Sequence, residues 1–255
     1  MIDTHAHLDH VKDLPGVLTS AGEAGVSAIV AVGEDLESNR KILDISRSVS
    51  HPRVYPGFGF HPDRVHRQDC ESCLAFIKTH SREAVAVGEI GLDFSYPWVR
   101  GNASLKEKQR EVFRLFLRAA SDADLPAVIH SRGAWQDCVD ITLEEGTRKA
   151  VFHWYSGPLN VLETILSRGY YVSCSPSLAY SKPAQAVVLA TPWDRLLVET
   201  DTPVFYRNPD GPGGFTATPG DVRKTLTEVC RIKKYSEDAA AEVLNRNARL
   251  CFALM

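Results

Sequence analysis

The chain has 255 residues, 44% hydrophobic and 24% charged, with a formal net charge of −3. This balance fits a soluble globular protein, and no apolar run approaches the roughly 20 residues needed to cross a bilayer. Slight acidity argues against nonspecific coating of nucleic acid, so a nucleic-acid substrate would need a local cationic patch or bound metal ions. The first residues, Met1-Ile2-Asp3-Thr4-His5, lack the basic and apolar regions of a signal peptide, which points to a cytoplasmic protein without a membrane partner.

Short apolar runs alternate with amphipathic stretches throughout. Candidate strands span residues 2–7, 28–32, 54–60, 84–89, 127–130, 150–153, 170–174 and 196–199. Each is brief, apolar on both faces and followed by Gly, Pro, Asp or Ser, as buried parallel strands are. Between them, a helix at 37–49 sets Ile42, Leu43, Ile45 and Val49 around a polar face. Cys70 and Cys73 form a C-x2-C in a helical context with no second pair, so thiols fit better than a zinc knuckle. Ser104 and Glu107 read as a capping box before Phe113, Phe116, Leu117 and Ala120. Pro158 opens a helix that ends before Gly169. The Gly-rich segment 210–220 reads as an ordered loop over the barrel mouth, and Ser236 caps the last helix. Eight alternations without a long polar linker predict an α/β fold, one (β/α)8 TIM barrel domain over residues 1–255. An open doubly wound sheet is the alternative, but no G-x-G-x-x-G follows a strand.

Nine histidines are present, and their placement matters more than their number. His5 and His7 lie two apart on the first strand, so both rings can face one side. Glu89 closes the fourth strand, His130 the fifth and His153 the sixth, while Asp201 follows the eighth. In a barrel these positions open on the C-terminal face, where active sites of this fold are built. An H-x-H pair or a lone glutamate is weak by itself. Imidazoles and carboxylates ending five apolar strands are another matter, because they are costly to bury unless paired or metal-bound. Six ligands are too many for one tetrahedral ion and suit two, with Glu89 placed to bridge and Asp201 placed to take a proton from water. Zinc, magnesium and manganese are all compatible. His10, His51, His66 and His80 read as surface positions, and His61 as either a substrate contact or a turn residue.

The segments Asp3-Thr4-His5-Ala6-His7-Leu8, Gly57-Phe58-Gly59-Phe60-His61-Pro62 and Gly88-Glu89-Ile90-Gly91-Leu92-Asp93 resemble those of TatD DNases. So do His130-Ser131-Arg132, His153-Trp154-Tyr155-Ser156-Gly157 and Glu199-Thr200-Asp201-Thr202-Pro203. The resemblance runs in order over nearly the whole chain. It implies one metal held by His5, His7, Glu89 and Asp201, and a second held by Glu89, His130 and His153. It also implies hydrolysis of DNA phosphodiester bonds, often from a 3′ end, on single strands or DNA ends. Two departures stand out: Asp63 after His61-Pro62, where many members carry histidine, and Trp154-Tyr155 in place of the more frequent Cys-Phe.

Candidate anion contacts are His61, Arg64, Arg132 and Arg207, since guanidinium matches phosphate oxygens in bidentate fashion. Arg67 reads instead as a partner of a surface carboxylate. Phe94, Tyr96, Trp98 and Tyr206 either stack bases or pack loops. No G-x-S-x-G elbow appears, which disfavours a nucleophilic serine. The competing reading keeps the metals and changes the bond: an ester or amide hydrolase, such as an aminoacyl-tRNA deacylase. A non-catalytic binding protein on the same barrel would be expected to have lost ligands, and all six are present.

Overall fold

Runs of small and β-branched apolar residues, none longer than six, build the centre of the computed structural model, which describes residues 1–68, 70–209 and 211–255. They are β1 (Ile2–Ala6), β2 (Ala28–Val32), β3 (Arg53–Phe58), β4 (Ala86–Gly91), β5 (Ala127–His130), β6 (Ala150–Phe152), β7 (Tyr171–Cys174) and β8 (Leu196–Val198). They pair in parallel and in chain order. The last gap is nearly closed: His7 N donates to Thr202 O at 2.7 Å and Asp201 N to His5 O at 3.0 Å, and Ala6 bridges Thr202. The eight predicted strands are all present, two with the predicted bounds and the rest with ends shifted by at most two residues.

Helices cover the outside: α1 (Leu14–Glu23), α2 (Leu36–Ser48), α3 (Glu71–His80), α4 (Pro97–Arg100), α5 (Ala103–Asp122), α6 (Trp135–Glu144), α7 (Leu159–Ser167), α8 (Lys182–Ala190), α9 (Val222–Lys233) and α10 (Glu237–Phe252). None is long and apolar enough to cross a membrane among the described residues. The cap of α5 is Asn102, whose side chain accepts from Leu105 N, rather than Ser104, which lies inside the first turn. Pro158 is the N-cap of α7 rather than its first residue. The expected loop at 210–220 is partly ordered pairing: β9 (Phe205–Arg207) and β10 (Gly214–Thr216) form an antiparallel hairpin, and Asp210 lies outside the described residues.

Strand residues divide between two apolar clusters. One joins Ile29, Ala31, Val87, Ile129 and Phe152 to the surrounding helices. The other fills the barrel with Ile2, Val30, Val32, Val128, Val151 and Leu197, and Phe252 and Leu254 pack against it. Simple alternation from this inner cluster carries inward to Glu34, His61, His130, His153 and Asp201.

Two strands break the alternation. In β1, Asp3 pairs with Ile29 but Ala6 with Ala31, three steps against two. In β4, Val87 pairs with Ala127 but Ile90 with Ile129, again one residue extra. Strict alternation from Ile2 or Ala86 would aim His5, His7 and Glu89 at the helices. A one-residue irregularity flips every later side chain to the other face, and all three turn inward.

Candidate metal centre

Glu89 stands at the middle of the barrel mouth and is almost fully buried. Its two oxygens face different histidines. Oε2 lies 3.3 Å from His5 Nε2 and 3.2 Å from His7 Nε2. Oε1 lies 2.6 Å from His130 Nδ1 and 2.7 Å from His153 Nε2. Asp201 Oδ1 joins the first pair, 3.5 Å from His5 Nε2 and 3.3 Å from His7 Nε2. The structure thus brings all six sequence-predicted ligands to one mouth.

Asp201 and Trp154, the residue after His153, hold left-handed backbone with φ of 51° and 40°. Such φ values cost a non-glycine residue of order 1 kcal/mol or more. At Asp201 the bend is secured by its N–H to His5 O and by Val204 N to its own carbonyl, both 3.0 Å.

The donor set fits divalent cations on three counts. First, His5 Nε2 and His7 Nε2 are 3.3 Å apart, so neighbouring donors in this half are 3.2–3.5 Å apart. Ligands about 2.0–2.1 Å from a tetrahedral ion are separated by about 3.3–3.4 Å. Second, Asp201 Oδ1 is buried with no hydrogen-bond partner among the described residues. Third, three imidazoles present their other nitrogen to an acceptor, as metal-bound histidines do. His7 Nδ1 donates to Val32 O at 3.2 Å, His130 Nε2 faces Asp93 Oδ2 at 3.0 Å, and His153 Nδ1 faces Glu199 Oε1 at 3.4 Å. In the second half the His130 and His153 nitrogens are 3.3 Å apart, while Glu89 Oε1 approaches both at hydrogen-bond distance.

Electrostatics bind the cluster. Burial opposes charge on His7, but the carboxylates of Asp201 and Glu89 outweigh it and raise its pKa well above the ordinary value. His153 is raised likewise by Glu89 and Glu199, and His130 by Asp93 and Glu89. Burial pushes Glu89 upward too, yet the imidazoles of His153 and His130 hold it well below the usual carboxylate range. His61 differs: burial lowers it to about 4.

The mouth opens into a cavity of about 670 Å³. His61 and Arg132 line it. Arg64 and Arg207 do not appear among its described lining residues. Arg64 is held by Glu34 Oε2 at 3.2 Å and Asp35 Oδ2 at 3.5 Å, and Arg207 lies over the Tyr180 ring at 4.5 Å. Arg132 is itself paired to Asp93 at 2.8 Å.

Sequence reasoning passed over several residues. Glu34, two places beyond β2, lines the cavity and is lowered to about 2, with burial opposed chiefly by the His10 hydrogen bond. Inward alternation beyond β2 was the available signal. His10 is exposed as expected, but it sits on the cavity rim, 3.1 Å from Glu34. Asp93 and Glu199 are fully buried supports whose roles only their neighbours reveal, and Glu199 also accepts a hydrogen bond from Ser173. Asp3 is buried too and accepts from Thr200 N and Oγ1 at 3.0 and 2.6 Å, locking β1 to the segment that carries Asp201.

The family model described as TatD related DNase matches residues 2–253. Human deoxyribonuclease TATDN3 is 30% identical over 265 residues, covering 99% of this chain and 94% of that protein. The Bacillus subtilis protein named uncharacterized metal-dependent hydrolase YabD is 31% identical over 264 residues, covering 100% and 99%. The crystal structure of YjjV, a TatD homologue from Escherichia coli, superposes with a TM-score of 0.89 at 26% identity, covering 100% of this chain and 98% of that one. With a ligand set that fits divalent cations at the mouth of such a barrel, the chain belongs to the TatD family of metal-dependent hydrolases.

Proposed function

We propose that the protein is a deoxyribonuclease that removes nucleotides from the 3′ end of single-stranded DNA or DNA ends, with two divalent ions in the barrel mouth. The observation that carries this reading is the division of Glu89, one oxygen toward His5 and His7 and the other toward His130 and His153. His5, His7, Glu89 and Asp201 would hold one ion, and Glu89, His130 and His153 the other. When bound, such a pair lowers the pKa of a shared water and offsets charge on phosphoryl oxygens.

The chain's own groups do the rest. Asp201 would hold its ion through Oδ1, which has no hydrogen-bond partner among the described residues, leaving its second carboxylate oxygen as acceptor for the water's proton. Asp93 fixes the His130 ring by a hydrogen bond, and the Glu199 carboxylate faces His153 Nδ1 at 3.4 Å. His61, kept neutral by burial, stands 3.7 Å from Glu89 and can meet substrate from the cavity wall. The deoxyribonuclease names of relatives at about 30% identity support DNA as substrate.

One specific observation favours a second reading. Arg132 is the single arginine among the described cavity-lining residues, and Asp93 offsets its charge. A cavity so poor in cation also suits a carbonyl substrate, as in an ester or amide hydrolase.

The test is cleavage of 3′- and 5′-labelled single-stranded DNA by metal-stripped protein, with magnesium, manganese or zinc restored separately, beside Glu89→Ala. Stepwise shortening from the 3′ end that needs both metal and Glu89 is expected. Folded, metal-loaded protein that leaves DNA intact but turns over an ester panel would transfer the assignment to the second reading.

A further inference from the structure

Beyond the cavity, one side of the mouth carries a ladder of rings and cations. Tyr96 lines the cavity, and Trp98, 40% exposed, stacks on it with ring centroids 4.6 Å apart and planes 14° from parallel. Arg132 lies over Tyr96 at 4.9 Å, and Arg67 lies over Trp98 at 6.0 Å. Among the described residues Arg67 meets no carboxylate at ion-pair distance; it donates to His66 Nε2 at 2.8 Å instead. A second hollow of about 360 Å³ follows, with Arg67 and Lys108 in its wall.

The ladder is fixed in place. Tyr96 and Trp98 flank the start of α4, whose Val99 is buried, and the Val99 N–H bonds Tyr96 O at 3.0 Å. Three strands further round the barrel, Tyr180 also lines the cavity, but there the column stops at Arg207. The mouth is therefore asymmetric.

We infer that Tyr96, Trp98 and Arg67 form an external track that holds the nucleotides of a single DNA strand lying beyond the bond cut in the cavity. The inference rests on the nuclease reading for the identity of the strand. Every base has a face that stacks on an aromatic ring, so such a track grips without regard to sequence. Guanidinium and ammonium groups alongside suit the phosphates. The chain's overall acidity is then no obstacle, because cations are concentrated where the strand runs. The track adds affinity for long strands and leaves the chemical step alone, so substrate length is its signature.

The experiment compares dT2 and dT12 as substrates for the full-length, magnesium-loaded protein and for Trp98→Ala, Trp98→Phe and Arg67→Ala. A parallel measurement follows anisotropy of labelled dT12 in chelator, where nothing is cut. Wild type is expected to show a lower KM for dT12 than for dT2. Trp98→Ala should erase most of that advantage, raising KM for dT12 by about 5- to 100-fold with kcat held. Trp98→Phe should restore most of it. Arg67→Ala should lower the slope of log affinity against log salt for dT12 by about 0.7.

Equal losses on dT2 and dT12 in Trp98→Ala would overturn the track, since the residue would then act through the cavity. So would a wild-type KM independent of length, even with the nuclease intact. Tight, Trp98-dependent binding of dT12 without cleavage by any loaded form would uphold the track and overturn the nuclease reading. Neither binding nor cleavage would overturn both.

Discussion

His5 and His153 stack face to face, 4.0 Å between centroids and 8° from parallel, although one belongs to β1 and the other follows β6. The buried carboxylate of Glu199 gathers with both rings and faces His153 Nδ1 at 3.4 Å. Ring orientation in one half of the centre is thereby tied to the other. Glu199→Gln keeps the shape and removes the charge, so metal affinity should weaken by about 10- to 100-fold. Competition against a chelating dye measures it, and affinity within twofold of wild type would show that Glu199 is only packing.

Metal should also stabilise the fold, because ions would take up donors that are otherwise crowded and partly unsatisfied. An ion at one hundred times its dissociation constant adds about 2.7 kcal/mol. For a domain this size that corresponds to a rise in Tm of about 5–10 °C. Scanning calorimetry before and after chelation checks the shift. A metal-independent Tm in protein that retains full folding cooperativity would count against occupancy of the mouth.

Gly59→Ala tests how tightly the Glu89 backbone is seated. A methyl group there would lie 2.3 Å from both Glu89 N and Gly88 C, and backbone offers no easy retreat. We expect a loss of about 2 kcal/mol or more in stability together with reduced metal stoichiometry. Chemical unfolding and elemental analysis of the purified variant give both numbers. Wild-type stability with full metal content would refute the close approach.

Far from the mouth, Glu145 ties α5 to α6. Arg118 grips it at 2.7 and 3.0 Å, and Arg114 reaches it at 3.1 Å. Arg118 chiefly, with Arg114, holds its carboxyl below the ordinary 4.5. A depressed pKa contributes stability that is present above about 4.5 and lost as pH falls through the folded value. Glu145→Gln should lower Tm at pH 7 by at most about 3 °C, since the pair is partly exposed to solvent. The gap should shrink as pH falls below about 4.5 towards and through the folded value, and salt at about 1 M should shrink it too. A gap that stays constant down to the acid limit of folding would point to packing instead.

Much of this could be read from residue order. Eight short apolar runs, each ended by a turn signal, mark the strands because buried parallel strands need apolar side chains on both faces. His130, His153 and Asp201 follow inward alternation from their strands, so their convergence was legible. Arg64 pairs with Glu34 and Asp35, and its proximity in sequence to β3 says nothing of those carboxylate partners. Asp93 and Glu199 look like ordinary loop and strand-end carboxylates until the rings they steady are beside them.

The sequence by itself determined the barrel, its order of strands and the types of ligand available, because local apolar pattern and turn chemistry act over a few residues. Tertiary pairing alone decided that His5, His7 and Glu89 face the interior. His5 and Glu89 lie where their strands slip by one residue against a neighbour, and His7 follows just beyond the slip in β1. Side chains alternate with a period of two, so a single extra residue in a pairing register decides which face a ligand occupies.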